Sequence, residues 1–191
     1  MTLSQIMMLA LRQLDEDAHD LSEYESAFRI YANIGYDVAV REYLKPKEWY
    51  SLRTDGRGEA VLPGGNVLRV VRIEDGRSGK PLSFCLLEDG SGVRLCQRDA
   101  PVRALCEVCY EDMTLETDEP RLPARVHPAL ADYICYRHLS CGSMAKQARA
   151  QAFLTSFNRA MRSLRPQGMG GVRGYRGLYA ATDIRGSGVA R

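Results

Sequence analysis

Apolar residues recur every three or four positions at the start of the chain, fall into short β-branched runs in its middle, and return to helical spacing later. Leu3, Ile6, Met7, Ala10 and Leu14 predict a short amphipathic helix, which the polar stretch "DEDAHD" at 15–20 interrupts. Ser22 and Glu25 then have the spacing of a capping box. Tyr24, Phe28, Tyr31, Gly35 and Val38 mark one stripe of a second helix running to about Leu44, with Pro46 as its stop.

From Arg53 to Glu116 the pattern changes. "EAVLP", "VLRVVRIE", "PLSFCLLE", "GVRLCQR" and "PVRALCEVCYEDMTLE" read as strands, joined by the turn formers "PGGN", "EDGRSGK" and "EDGSG". Sequential strands with short joints predict an antiparallel meander or a small barrel-like sheet. Helix returns at Pro128, a favoured first-turn residue, and continues to about Ser163 with a break at Gly142. Residues 166–191 then lose all periodicity. They hold seven glycines, four arginines and one acid, a composition that builds no core of its own.

The expected fold class is therefore α+β. Two N-terminal helices (1–52) and a long C-terminal helical hairpin or broken helix (127–165) form a mainly helical frame. An antiparallel β subdomain (53–126) is inserted into it, and an extended arm (166–191) follows.

Composition narrows the picture modestly. The chain has 191 residues, 45% hydrophobic and 26% charged, enough for one domain or a domain with a subdomain. Its 26 basic and 24 acidic residues nearly balance, so overall charge selects no polyanionic partner. No run is long enough to span a membrane, and "MTLSQIMMLALRQLDEDAHD" lacks the basic leader and cleavage site of a secretory signal. Synthesis in a reducing cytoplasm is expected, with Cys85, Cys96, Cys106, Cys109, Cys135 and Cys141 as thiols.

Candidate chemistry concentrates in "HPALADYICYRHLSCG" at 127–142. Cys135, His138 and Cys141 share part of one helix face, and "CEVC" at 106–109 has the spacing of half a zinc site. On a strand, however, Cys106 and Cys109 point to opposite faces. Cys135, His138 and Asp132 supply the residue types of a nucleophilic site, but neighbours three apart on a helix lie alongside each other rather than meeting at one substrate atom. "GRSGKP" at 76–81 lacks the spacing of a phosphate loop. No enzyme activity, metal or cofactor is expected. In the tail, Arg-Gly steps with Tyr175 and Tyr179 fit either an arm that orders on a protein partner or a nucleic-acid-binding segment. A nucleic-acid-binding module, with a small β barrel and an Arg-Gly tail, is thus the competing class. Phe84 and Tyr110 are the only aromatics in the strands as read.

The order of these segments resembles a known family. A short helix, an acidic turn, a helix ending before "YLKP", then "SLRTDGRGEAVLPGG" and "VLRVVRIE", are similar to the head-to-tail adaptor (connector) proteins of tailed bacteriophages. So is "LPARVHPALADYICYRHLSCGSMAKQARAQAFLTSFNRAM", with its "LxDYxxYRxL" pattern, break and Ala/Gln-rich helix. The resemblance covers most of residues 1–165, and the longer, cysteine-rich strand region marks an elaborated member.

It implies a structural ring, typically of twelve copies, beneath the portal protein at the head-tail junction of the virion. The ring would link capsid to tail or nozzle proteins and continue the channel for packaged DNA without sequence specificity. The implied portal-binding arm includes Val172, Arg173, Tyr175, Arg176, Leu178, Tyr179, Ile184 and Arg185. Leu130, Tyr133, Ile134, Tyr136, Arg137, Phe153 and Phe157 would serve subunit packing, and Lys146, Arg149, Arg159 and Arg162 would supply channel charge.

Overall fold

In the computed structural model, residues 1–15 and 21–164 are described. Helix α1 (Leu3–Gln13) starts on a reciprocal cap: the Gln5 amide donates to the Thr2 hydroxyl at 3.3 Å and the Thr2 amide to the Gln5 side chain at 3.1 Å. Leu3, Ile6, Met7, Ala10 and Leu14 are buried, as the apolar spacing predicts, and Leu11 is buried with them. The polar turn expected after α1 lies, from residue 16 on, outside the described residues.

Helix α2 (Leu21–Val38) passes into a π-helical segment, Ala39–Leu44, which closes at Lys45 in the left-handed region (φ 48°) just before Pro46. Ser22 lies inside the helix and so does not cap its start. The buried stripe is Phe28, Ala32, Gly35 and Tyr36, rotated from the predicted one, with Tyr24, Tyr31 and Val38 half-buried at its border. Gly35 is required by space. A Cβ there would stand 2.8 Å from two ring carbons of Tyr133.

Seven antiparallel strands follow: β1 (Lys47–Arg53), β2 (Glu59–Val61), β3 (Val67–Asp75), β4 (Pro81–Leu82), β5 (Phe84–Leu86), β6 (Gly92–Leu95) and β7 (Pro101–Val108). They form two sheets, ordered β1-β7-β3-β4 and β2-β6-β5. The expected meander is not followed, because β7, whose last three residues are all buried, takes the place between β1 and β3. Ala60, Ile73, Val93, Leu95, Val102, Ala104, Cys106 and Val108 make the core of this unit. Gly58 (φ 81°) allows the turn into β2, since a Cβ there would meet the Leu95 carbonyl oxygen at 2.2 Å.

Two expected boundaries move. Residues 47–52, expected with the N-terminal helices, belong to the sheet as β1. The strand read through Glu116 ends at Val108, where the Val108 amide donates to the Pro46 carbonyl at 3.0 Å. Entry to and exit from the β unit are therefore adjacent.

The segment 109–123 leaves the sheet and is bound to the helices. Asn33 donates to the Met113 carbonyl at 3.0 Å and accepts from its amide at 2.9 Å. The Leu3 and Ser4 amides, open donors of the α1 start, reach the Asp118 and Glu116 carbonyls at 2.8 and 3.1 Å. Tyr110 packs against both cores and stacks on Tyr36. After a 3-10 turn, Ala124–Val126, come α3 (His127–Leu139) and α4 (Met144–Arg162), parted at Gly142 as expected. Helix α3 packs on α1, α2 and α4, so it is the centre of the helical core.

Candidate functional site

The polar residues of α3 are held by several neighbours: Asp132 and Cys135 both meet Gln13 of α1, while His127 and His138 pack elsewhere. The His127 ring is buried, with Nε2 2.8 Å from the Leu122 carbonyl and Nδ1 2.9 Å from the Met1 amine. A carbonyl only accepts, so Nε2 carries the proton and Nδ1 accepts. Asp132 accepts from Gln13 of α1 at 3.1 Å and from Ser156 of α4 at 2.7 Å. The Cys135 thiol donates toward the Ala10 carbonyl (3.4 Å) and the Gln13 side-chain oxygen (3.2 Å). Burial, reinforced by the Asp132 charge, pushes that thiol up to about 12, so it stays protonated at neutral pH.

His138 packs edge-on to Tyr24 and Phe28, with ring centres 5.2 and 5.7 Å apart. Cys141 is exposed beyond the helix end. The cysteine, histidine and aspartate that suggested a nucleophilic site thus do not converge. Cys106 is buried in β7 while Cys109 sits past the strand end with its sulfur 3.5 Å from the Asn66 carbonyl. Among the described residues, no group of three or more His, Cys, Asp or Glu side chains is placed to hold a metal.

The residues expected to pack between subunits divide. Leu130, Tyr133, Ile134 and Phe157 are buried inside the chain's own core, the Tyr133 and Phe157 rings 4.9 Å apart, so they hold the helices together and do not face a neighbour. Tyr136, Arg137 and Phe153 are only half-buried; the Arg137 guanidinium lies 5.8 Å over the Tyr31 ring.

The four basic residues of α4 are all exposed. Arg149 is occupied: it donates to the Gln13 carbonyl at 2.6 Å and pairs with Asp15 at 3.0 Å, fastening α4 to the end of α1. Lys146, Arg159 and Arg162 project outward. The arm residues Val172, Arg173, Tyr175, Arg176, Leu178, Tyr179, Ile184 and Arg185 lie outside the described residues.

Two surfaces escaped the sequence reading. On α2, Ile30 and Ile34, one turn apart, are exposed beside an open groove of about 550 Å3 also lined by Asp37, Arg41, Cys109 and Tyr110. Their spacing of four outside the predicted stripe was the available signal. The second is the outer face of the larger sheet. There Lys47, Trp49 and Ser51 of β1 lie opposite Glu107, Leu105 and Arg103 of β7, which lie opposite Arg69, Arg72 and Glu74 of β3.

Arg69 grips Glu107 through two bonds of 2.8 and 3.0 Å, and Arg72 pairs with Glu74 at 2.7 Å. The Arg69 contact holds the Glu107 carboxyl below the usual carboxylate range, against the opposing effect of burial. Arg103 lies 4.8 Å over the exposed Trp49 ring. Alternation of Trp49 with Tyr50 and Leu52 was the signal for this strand.

No protein-family model and no curated protein matches the chain. No helix among the described residues is long and apolar enough to cross a membrane. The exposed features are an apolar pair on α2, Ile30 and Ile34, and a sheet face bearing arginines and Trp49.

Proposed function

We propose that the protein is a structural head-to-tail adaptor of a tailed bacteriophage. In this reading twelve copies form a ring under the portal protein, join it to tail or nozzle proteins, and continue the DNA channel. The role is one of contact, with no catalysis. One observation carries the proposal beyond the sequence resemblance. The helical unit completes its own core around α3, the "LxDYxxYRxL" helix, yet leaves Ile30 and Ile34 uncovered on α2, as a subunit with a neighbour would. Residues 166–191 supply the portal-gripping arm. Lys146, Arg159 and Arg162 face solvent and are available to phosphates.

Light scattering after size exclusion, with and without a portal protein, tests this. The portal should drive ring formation, removal of 166–191 should abolish portal binding, and an Ile30→Asp/Ile34→Asp variant should remain folded but fail to form rings. A monomer indifferent to portal that binds oligonucleotides with a steep salt dependence would overturn it. That second reading, a nucleic-acid-binding module, has an observation in its favour. Strand β1 adds an exposed aromatic, Trp49, to the sheet, with the Arg103 guanidinium 4.8 Å over its ring.

A further inference from the structure

Strand β1 is an edge. Its one strand partner among the described residues is β7, and none of its seven residues is buried. Which backbone groups it leaves open follows from the ladder. The Val108 amide donates to the Pro46 carbonyl at 3.0 Å and the Thr54 amide to the Ala100 carbonyl at 3.0 Å. Antiparallel pairing alternates, so even-numbered positions bond β7, and Lys47, Trp49, Ser51 and Arg53 turn their N–H and C=O groups to the open side. The same four side chains lie on the outer sheet face.

A strand added here would set its alternate residues beside those four. Lys47 and Arg53, at the two ends, make no ion pair among the described residues, whereas Arg69 and Arg72 are already matched to Glu107 and Glu74. A second copy of β1 fits poorly, because antiparallel self-pairing over the full strand places Lys47 against Arg53, cation on cation. The segment 166–191 is itself basic, with four arginines and one acid.

We infer that the free edge of β1 binds an extended segment of a partner protein that carries a carboxylate at each end of a seven-residue stretch and an apolar residue between them, opposite Trp49. Main-chain bonds supply affinity, and the spacing of the two acids specificity. This inference does not depend on the adaptor reading. A partner of this type would be recognised equally by a monomer.

The chain's single tryptophan is the reporter. The probe is acetyl-Glu-Thr-Thr-Thr-Val-Thr-Glu-amide, titrated into the full chain while Trp49 emission is followed, with calorimetry as a second readout. The control, acetyl-Thr-Glu-Thr-Val-Thr-Glu-Thr-amide, has the same composition, but its acids stand four apart and reach both cations in no register. Saturable binding of the probe with a dissociation constant below about 1 mM, and binding of the control at least about tenfold weaker, is the expected result.

Ser51→Pro removes one outward N–H without touching the β7 ladder, a change that edge strands tolerate. It should weaken the probe at least about tenfold with the circular dichroism unchanged. Lys47→Glu/Arg53→Glu should do the same without altering the backbone. Equal binding of the two peptides, no saturable binding at about 1 mM, or undiminished binding by the charge-reversed variant overturns the inference. So does a Trp49 response to single-stranded oligonucleotide alone, which would assign the face to nucleic acid.

Discussion

Alanine at position 35 sets helix propensity against space. In an unhindered helix interior Gly→Ala stabilises by about 1 kcal/mol. Here the new methyl would meet Tyr133 Cγ and Cδ1 at 2.8 Å and its Cβ at 3.1 Å, where ordinary contact begins at 3.4 Å. Turning the ring gives no relief. Its Cβ is fixed to the α3 backbone, and the Phe157 and Tyr136 rings stand 4.9 and 5.7 Å from its own. The α2 and α3 backbones must part, an overpacking of the kind that costs roughly 1–3 kcal/mol.

Net destabilisation of up to about 2 kcal/mol is expected, which with a urea slope of about 2 kcal/mol/M lowers the unfolding midpoint by up to about 1 M. In a Tyr133→Ala background the two 2.8 Å ring contacts are gone and only the 3.1 Å Cβ contact remains, so the same substitution should be close to neutral, within about 1 kcal/mol either way. Urea titrations followed by circular dichroism measure all four corners of this cycle. Stabilisation of the otherwise native chain by Gly35→Ala would refute the account of how α2 meets α3.

Removing both bonds between Asn33 and Met113 through Asn33→Ala should cost about 2 kcal/mol in the same assay, and a cost near zero would mean the 109–123 segment is held by other contacts. The Glu107 carboxyl is lowered by Arg69, so its contribution is present above the ordinary glutamate range and lost as pH falls through the folded value. Glu107→Gln should therefore reduce stability at pH 7 and flatten its decline below about pH 4.5, and identical acid-unfolding curves would contradict this. With a thiol reagent at pH 8, Cys85, Cys96 and Cys141 should react at once and Cys109 more slowly. Cys106 and Cys135 should react only on unfolding, and prompt reaction of Cys135 would show that α1 does not cover it.

Helices α1, α3 and α4 were legible because α1 and α4 each bury one apolar stripe, Pro128 marks the start of α3, and Gly142 marks the break between α3 and α4. Strand β1 was not. It follows directly on Pro46, neither of its faces is fully buried, and its lysine, glutamate and arginine mask an alternation carried only by Trp49, Tyr50 and Leu52. The end of β7 was hidden for the opposite reason. Apolar residues continue through Cys109, Tyr110 and Met113, but Met113 belongs to the helical core and Tyr110 packs against both cores. The α3 stretch showed its residue types plainly and its purpose poorly, since α1 and α2, both distant in sequence, and the following α4 decide what Asp132, Cys135 and His138 touch.

The pairing of β1 with β7 has an evolutionary side. Because the chain enters the β unit at Pro46 and leaves it at Val108 through one hydrogen-bonded pair, the helical unit meets the insertion as a gap of roughly 5 Å, whatever lies between. Recombination can exchange, lengthen or prune the inserted module at that seam while the four helices keep their packing, much as a hairpin loop is varied on a fixed stem. Such a seam lets one helical scaffold carry β modules of different size without changing its own ends.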